Sequence, residues 1–196
     1  MFDLVSLVEG AGYLGLFAII FAESGILLGF FLPGDSLLFT AGFLASQGYL
    51  AIVPLIILLF IAAVLGDAVG YTFGKKIGPK IFSRPKSFWF NPAHIERTKT
   101  FFERYGAKTI LLSRFLPAVR TVAPIMAGIG GMRYRVFAIY NGIGALAWAC
   151  GLTLLGYFFG RTIPNADKYL VPIVLAIIIL SILPTIWQII KEKRKV

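Results

Sequence analysis

Long uncharged runs broken by short polar or proline-containing segments dominate the chain. Residues 50–66 carry no charge over 17 positions, residues 170–190 none over 21, and residues 136–160 form a third such run. Crossing about 30 Å of hydrocarbon takes about 20 residues of helix, so these runs predict transmembrane helices. Residues 12–32 are apolar except for Glu23 and stop at Pro33-Gly34, where proline removes a backbone donor and glycine frees the dihedrals. The arm beyond, residues 36–47, would rise only ~18 Å as a helix, too little to cross. Residues 109–119 and 121–132 flank the break at Pro117 and are about as short. Two half-length arms around a proline predict a re-entrant hairpin, which a membrane tolerates only where protein or water covers the backbone.

The hairpin is written twice. Phe31-Leu32-Pro33-Gly34-Asp35 returns as Phe115-Leu116-Pro117-Ala118-Val119-Arg120, with the prolines 84 positions apart. Ala41-Gly42 returns as Ala127-Gly128, and Gly70-Tyr71-Thr72-Phe73-Gly74 as Gly156-Tyr157-Phe158-Phe159-Gly160, both at a spacing of 86. A hairpin plus one crossing helix gives each copy an odd number of crossings, so the second copy is expected to be inverted relative to the first. The fold class expected is an all-α membrane protein. It would contain an inverted repeat of two re-entrant helical hairpins, each followed by a transmembrane helix, and a C-terminal transmembrane helix. Residues 1–196 then form one membrane domain: repeat 1 over about 10–78, a linker over about 79–108, repeat 2 over about 109–164, and a final span over about 170–190. Residues 1–10 read as a short interfacial helix.

Composition agrees: 58% of the residues are apolar and 14% charged, against about a quarter charged in soluble domains. The net charge of +10 does not point to nucleic acid, because of where it lies. None of the 19 Lys and Arg residues precedes Lys75, nine fall between Lys75 and Lys108, and four of the last six residues are basic. Such clusters beside apolar spans mark cytoplasmic segments and favour anionic headgroups. The linker and the C terminus are therefore expected inside the cell and the amino terminus outside, in a multi-pass protein of the plasma membrane. In the linker, Asn91-Pro92 resembles a helix start, and Gly106 is expected to close that helix. Ile95, Phe101, Phe102 and Tyr105 lie broadly on one side of it, opposite Arg97, Arg104 and Lys108. An interfacial helix and a helix packed on the protein both fit.

Four charges sit in strongly apolar surroundings: Glu23 and Asp35 in the first copy, Arg114 and Arg120 in the second. An Arg or Asp at mid-membrane costs roughly 2.5–3.5 kcal/mol on insertion scales, so they must pair, meet water or bind something charged. Ion pairs that merely pin the hairpins together are the plain alternative. The functional reading draws on the neighbouring breaks at Pro33, Gly34 and Pro117, since half-helix ends create ion sites in transporters. Arginine's planar fork suits a phosphate group, which makes Arg114 and Arg120 the candidate substrate-binding pair. A carboxyl held out of water exchanges protons more readily near neutral pH, so Glu23 and Asp35 are proton-coupling or ion-pair candidates. Asp67 joins them at the end of an uncharged run, where it would reach cytoplasmic water or pair with a basic neighbour.

Other residues carry less. Gly66, Gly70 and Gly74, like Gly156 and Gly160, recur every fourth position and predict close helix packing. Asn141 predicts an interhelical hydrogen bond, and Trp89, Trp148 and Trp187 suit interfacial belts. His94 is the only histidine and Cys150 the only cysteine. That argues against a histidine-dependent lipid phosphatase, a zinc site and a Ser-His-acid set. No glycine-rich phosphate loop is present, and neither a cofactor nor an enzymatic activity is expected.

At these residues the chain resembles the DedA family, whose VTT (SNARE-associated Golgi protein) domain is shared with eukaryotic lipid scramblases. The resemblance rests on Phe21-Ala22-Glu23, Leu32-Pro33-Gly34-Asp35, Gly66-Asp67 with Gly70-Tyr71 and Gly74, Phe101-Phe102-Glu103-Arg104-Tyr105-Gly106, Ser113-Arg114-Phe115-Leu116-Pro117 with Arg120, and Ala127-Gly128. It covers roughly residues 10–160. It implies a lipid carrier built from inverted re-entrant hairpins and supporting envelope maintenance. Bacterial relatives recycle undecaprenyl phosphate, or are linked to phospholipid movement or proton coupling. Acidic residues essential in the family match Glu23 and Asp35, and essential arginines match Arg114 and Arg120. The expected function is therefore translocation of a phosphate-bearing lipid, undecaprenyl phosphate first, with membrane lipids as partners. An uncoupled phospholipid scramblase is the alternative, followed by a small-ion antiporter or a lipid phosphatase; whether a homodimer forms stays open.

Overall fold

The structure, a computed structural model, describes residues 4–25, 33–82, 104–163, 168–169, 172–173 and 175–177. Every regular element among them is helical: α1 (Leu4–Gly25), α2 (Gly34–Ser46), α3 (Ile52–Phe82), α4 (Lys108–Ser113), α5 (Pro117–Arg120), α6 (Val122–Ile129), α7 (Tyr134–Ala145), a π-helical turn (Leu146–Cys150) and α8 (Gly151–Thr162). The expected linker helix over 91–106 falls mostly outside the described residues, as does most of the final span over 170–190. Gly106, expected to end the linker helix, has φ +68, the left-handed conformation glycine supplies at helix ends.

Among the described residues, two helices are long and apolar enough to cross a membrane: Ile52–Ile77 and Tyr134–Thr162, of 26 and 29 residues. The first lies within α3, which is apolar on both sides. Leu55, Leu59, Ala62, Ala63 and Tyr71 face inward, while Val53, Ile57, Ile61, Leu65, Val69 and Phe73, one every four residues, are exposed. A helix apolar all round belongs in a membrane or a large core. An exposed stripe of six such side chains along one helix fits the membrane.

The chain divides into two compact units. The first comprises Met1–Ile20, Phe31–Ala62 and Leu146–Val196; the second comprises Phe21–Phe30 and Ala63–Ala145. In the first unit α2 packs on α8, and glycine makes the approach close. A Cβ on Gly42 would lie 2.8 Å from the Thr153 carbonyl carbon, and one on Gly156 would lie 2.9 Å from that of Phe39. Phe39 and Phe43 close the seam on Phe159, with ring centroids 5.6 and 6.4 Å away. The Ala51 amide, unsatisfied at the start of α3, donates to the Tyr13 hydroxyl at 2.7 Å.

In the second unit Tyr71, Ile110, Ala123, Ala127 and Phe137 form a buried core. Tyr71 stacks on Phe137 with ring centroids 4.6 Å apart and donates its hydroxyl to the Met132 carbonyl. Gly66 lets α1 lie against α3: a Cβ there would stand 2.6 Å from the Phe21 carbonyl oxygen. Gly66, Gly74 and Gly156 thus act as the sequence predicts, as places where backbones meet, while Gly160 makes room for the Ser46 and Phe43 side chains.

The helix boundaries depart from expectation at both prolines. Residues 109–119 were expected to form one arm, but α4 ends at Ser113 and residues 114–116 turn before Pro117 opens α5. Leu116 is extended (φ −116, ψ 101), because the ring of a following proline crowds the helical conformation. In the first copy the helix described ends at Gly25, and Gly12 kinks it with φ 56. Pro33 precedes α2, where its carbonyl accepts from the Leu37 amide and the Ser36 hydroxyl, both at 2.9 Å. Residues 26–32 lie outside the described set.

Candidate functional site

Four ionisable side chains meet inside the second unit. Glu23 comes from the last turns of α1, Asp67 from the middle of α3, Arg114 from the turn after α4, and Arg120 from the end of α5. Their exposures are 0, 4, 3 and 8%. Arg120 Nη2 donates to Glu23 Oε1, and Arg114 Nη2 donates to Asp67 Oδ2. The pairs are not independent: Arg120 also acts on Asp67 through space, and Glu23 acts on Arg114. Two positive and two negative charges thus form one formally neutral, buried cluster. Desolvating each ion alone would cost several kcal/mol, and only mutual pairing with good geometry offsets that.

Neutral groups shape the site. Asn141 of α7, 1% exposed, accepts from Arg114 Nη2 at 2.6 Å and donates to the Val64 carbonyl at 3.3 Å. Its amide therefore ties α7, α3 and the Arg114 guanidinium together, which is the interhelical bond expected of it. Gly144, one turn along α7, clears the way for the arginine stem, since a Cβ there would lie 2.9 Å from Arg114 Cδ. Arg114 caps α4 with its backbone still helical (φ −62, ψ −28), and its amide donates to the Leu111 carbonyl.

Asp35 belongs to the first unit, in the opening turn of α2, where a carboxylate complements the helix dipole. The Trp148 indole Nε1 donates to its Oδ1 at 2.7 Å. Trp148 is 3% exposed and lies in the π-helical turn, a rare geometry that often marks functional positions. It is therefore a buried partner of a carboxylate, contrary to the interfacial belt suggested for it.

Of the candidates from sequence, Glu23, Arg114 and Arg120 come together. Asp67, also a candidate from sequence, supplies their second carboxylate. Asp67 was expected either to reach water or to pair with a basic neighbour, and burial on the inner face of α3 selects the ion pair with Arg114. Trp148 carried no signal of its role, because tryptophan in an apolar run reads equally well as membrane-facing. Among the described residues no three His, Cys, Asp or Glu side chains stand together as a metal site would require.

Comparison with known proteins places the chain in a family. The model of the VTT domain matches residues 32–158. Protein DedA of Escherichia coli is 50% identical over 184 residues, covering 93% of this chain and 84% of that protein. An uncharacterised membrane protein of Mycobacterium tuberculosis is 41% identical over 179 residues, covering 88% and 76%. The inner membrane protein YqjA of Escherichia coli is 39% identical over 163 residues, covering 82% and 72%. No solved structure matches the chain. By the family match and by identity over nearly its whole length, the chain belongs to the DedA family of VTT-domain membrane proteins.

Proposed function

We propose that the protein carries phosphate-bearing lipids across the plasma membrane, with a polyprenyl phosphate such as undecaprenyl phosphate as its cargo. The observation that supports this is the neutral cluster of Glu23, Asp67, Arg114 and Arg120, all at least nine-tenths buried. A cluster satisfied by its own carboxylates can exchange an internal anion for an external one. A headgroup phosphate accepts from the Arg114 and Arg120 guanidiniums with the geometry a carboxylate uses, while the lipid tail stays in the bilayer. The displaced Glu23 and Asp67 carboxyls become costly as bare anions and take up protons, which return to water when the phosphate leaves and the arginines are paired again. Asp35 is the remaining carboxylate by which transport responds to proton supply.

In this reading the breaks at Pro33-Gly34 and Pro117 are the tips of two re-entrant hairpins, inverted relative to each other. Lys75 and the basic stretch after it face the cytoplasm. A purely structural cluster would fix the helices equally well, so the decisive measurement is transport. Purified full-length protein in vesicles is given a fluorescent polyprenyl phosphate, and movement between leaflets is followed with a membrane-impermeant quencher. Arg114→Lys and Arg120→Lys keep the charge but lose the bidentate fork; both are expected to slow transport while remaining folded. Lysine variants and alanine variants that are folded and as fast as the wild type would remove the headgroup role. A headgroup panel and an imposed pH gradient separate this carrier from an uncoupled scramblase.

A further inference from the structure

The second unit gathers exposed cations at one end. Tyr71 of α3 stacks on Phe137 of α7 and bonds the Met132 carbonyl, so Lys75 and Lys76, one turn beyond Tyr71, come level with the segment leading into α7. Packing of Gly128 confirms the level, since a Cβ there would lie 2.7 Å from the Lys75 backbone nitrogen. Arg133 and Arg135 flank Tyr134 in that segment. Lys108 opens α4 two residues before Ile110, which shares a core with Phe137, and Arg114 stands at the opposite end of that helix. Lys75, Lys76, Lys108, Arg133 and Arg135 are all exposed. The acidic side chains described in this unit are Glu23 and Asp67, both in the buried cluster.

Immediately beside these cations the exposed surface turns apolar. Phe73 and Val69 precede Lys75 on α3, and Val136, Ile139 and Ile143 follow Arg135 on α7; all five are exposed. Tyr134, half exposed among the cations, has the amphipathic ring typical of a membrane boundary. A soluble anionic partner would not account for apolar stripes that begin within two residues of the charges. A bilayer does, because it presents hydrocarbon and anionic headgroups in that order.

We propose that this end of the unit is a binding surface for anionic phospholipid headgroups, which collects phosphatidylglycerol-type lipids around the protein. It is separate from the buried arginines and does not depend on transport. Each cation near an anionic surface strengthens attraction by roughly fivefold, and salt screens the effect.

The test uses full-length protein in bilayers of phosphatidylcholine doped with spin-labelled phosphatidylglycerol or spin-labelled phosphatidylcholine. Electron paramagnetic resonance then gives the relative association of each lipid with the protein boundary. The wild type is expected to prefer phosphatidylglycerol several-fold. The preference should fall towards one in the variant carrying Lys75→Gln, Lys76→Gln, Arg133→Gln and Arg135→Gln, and in the wild type at about 1 M salt, where the Debye length is about 3 Å. Equal association of both lipids with the wild type overturns the proposal, as does a preference that a folded variant retains. If the variant does not fold, the salt series decides: a preference indifferent to salt overturns the proposal.

Discussion

Trp148 donates its indole hydrogen to the Asp35 carboxylate at 2.7 Å. The two residues are 113 positions apart, yet both sit where a helix changes character: Asp35 just after Pro33, and Trp148 within the π-helical turn. Trp148→Phe keeps the ring and removes the donor. A hydrogen bond to a charged group contributes about 1.5–3 kcal/mol, so a loss of stability of that order is expected on thermal unfolding in detergent. An unchanged melting temperature would show that the bond contributes nothing to holding α2 in place.

The Glu23–Arg120 pair makes an opposite pattern of single and double substitutions. Arg120→Met strands a carboxylate that is fully buried, and breaking a buried pair costs about 3–5 kcal/mol. Adding Glu23→Gln to Arg120→Met is expected to restore most of that stability, because two neutral side chains need no counter-ion. A double-mutant cycle on chemical unfolding measures the coupling. Additive losses would mean that the two side chains do not act as a pair.

Glycine packing gives a prediction independent of charge. Gly66→Ala places a methyl 2.6 Å from the Phe21 carbonyl oxygen and 2.8 Å from Ser24 Cβ, and relieving such contacts by backbone shifts costs about 1–3 kcal/mol. Gly142→Ala is the control, with nothing within 4 Å of the new methyl and a helical position where alanine is favoured by up to about 1 kcal/mol. Unfolding of the two variants should therefore move in opposite directions.

Much of the site was legible because charge in an apolar sequence is costly and must be resolved. Glu23, Arg114 and Arg120 stood out on that ground alone, and the structure pairs them within one unit. Asp67 was harder to place. Its neighbourhood in the chain includes Lys75, but its neighbourhood in space is set by the inner face of α3, which sequence position does not reveal. The prolines announced the breaks, and the second is sharpest at Leu116, the residue before proline, whose backbone is extended. The π-helical turn has no pattern in the residues 146–150, so the Trp148–Asp35 contact was invisible beforehand. Glycine at four-residue spacing, in contrast, has essentially one physical use between apolar helices, and it was read correctly.

The length of α3 has a further consequence. From Ile52 to Gly74, ahead of the lysines at the headgroups, the helix runs for 23 residues, about 35 Å along the axis, against a hydrocarbon layer of about 30 Å. Such a rod either leans or deforms the lipid around it, at a cost of a fraction of a kcal/mol per Å of mismatch. Asp67 rides on that rod, so its depth is tied to how far the helix leans. Bilayer thickness, set by acyl-chain length, thereby becomes a mechanical input to the charged cluster.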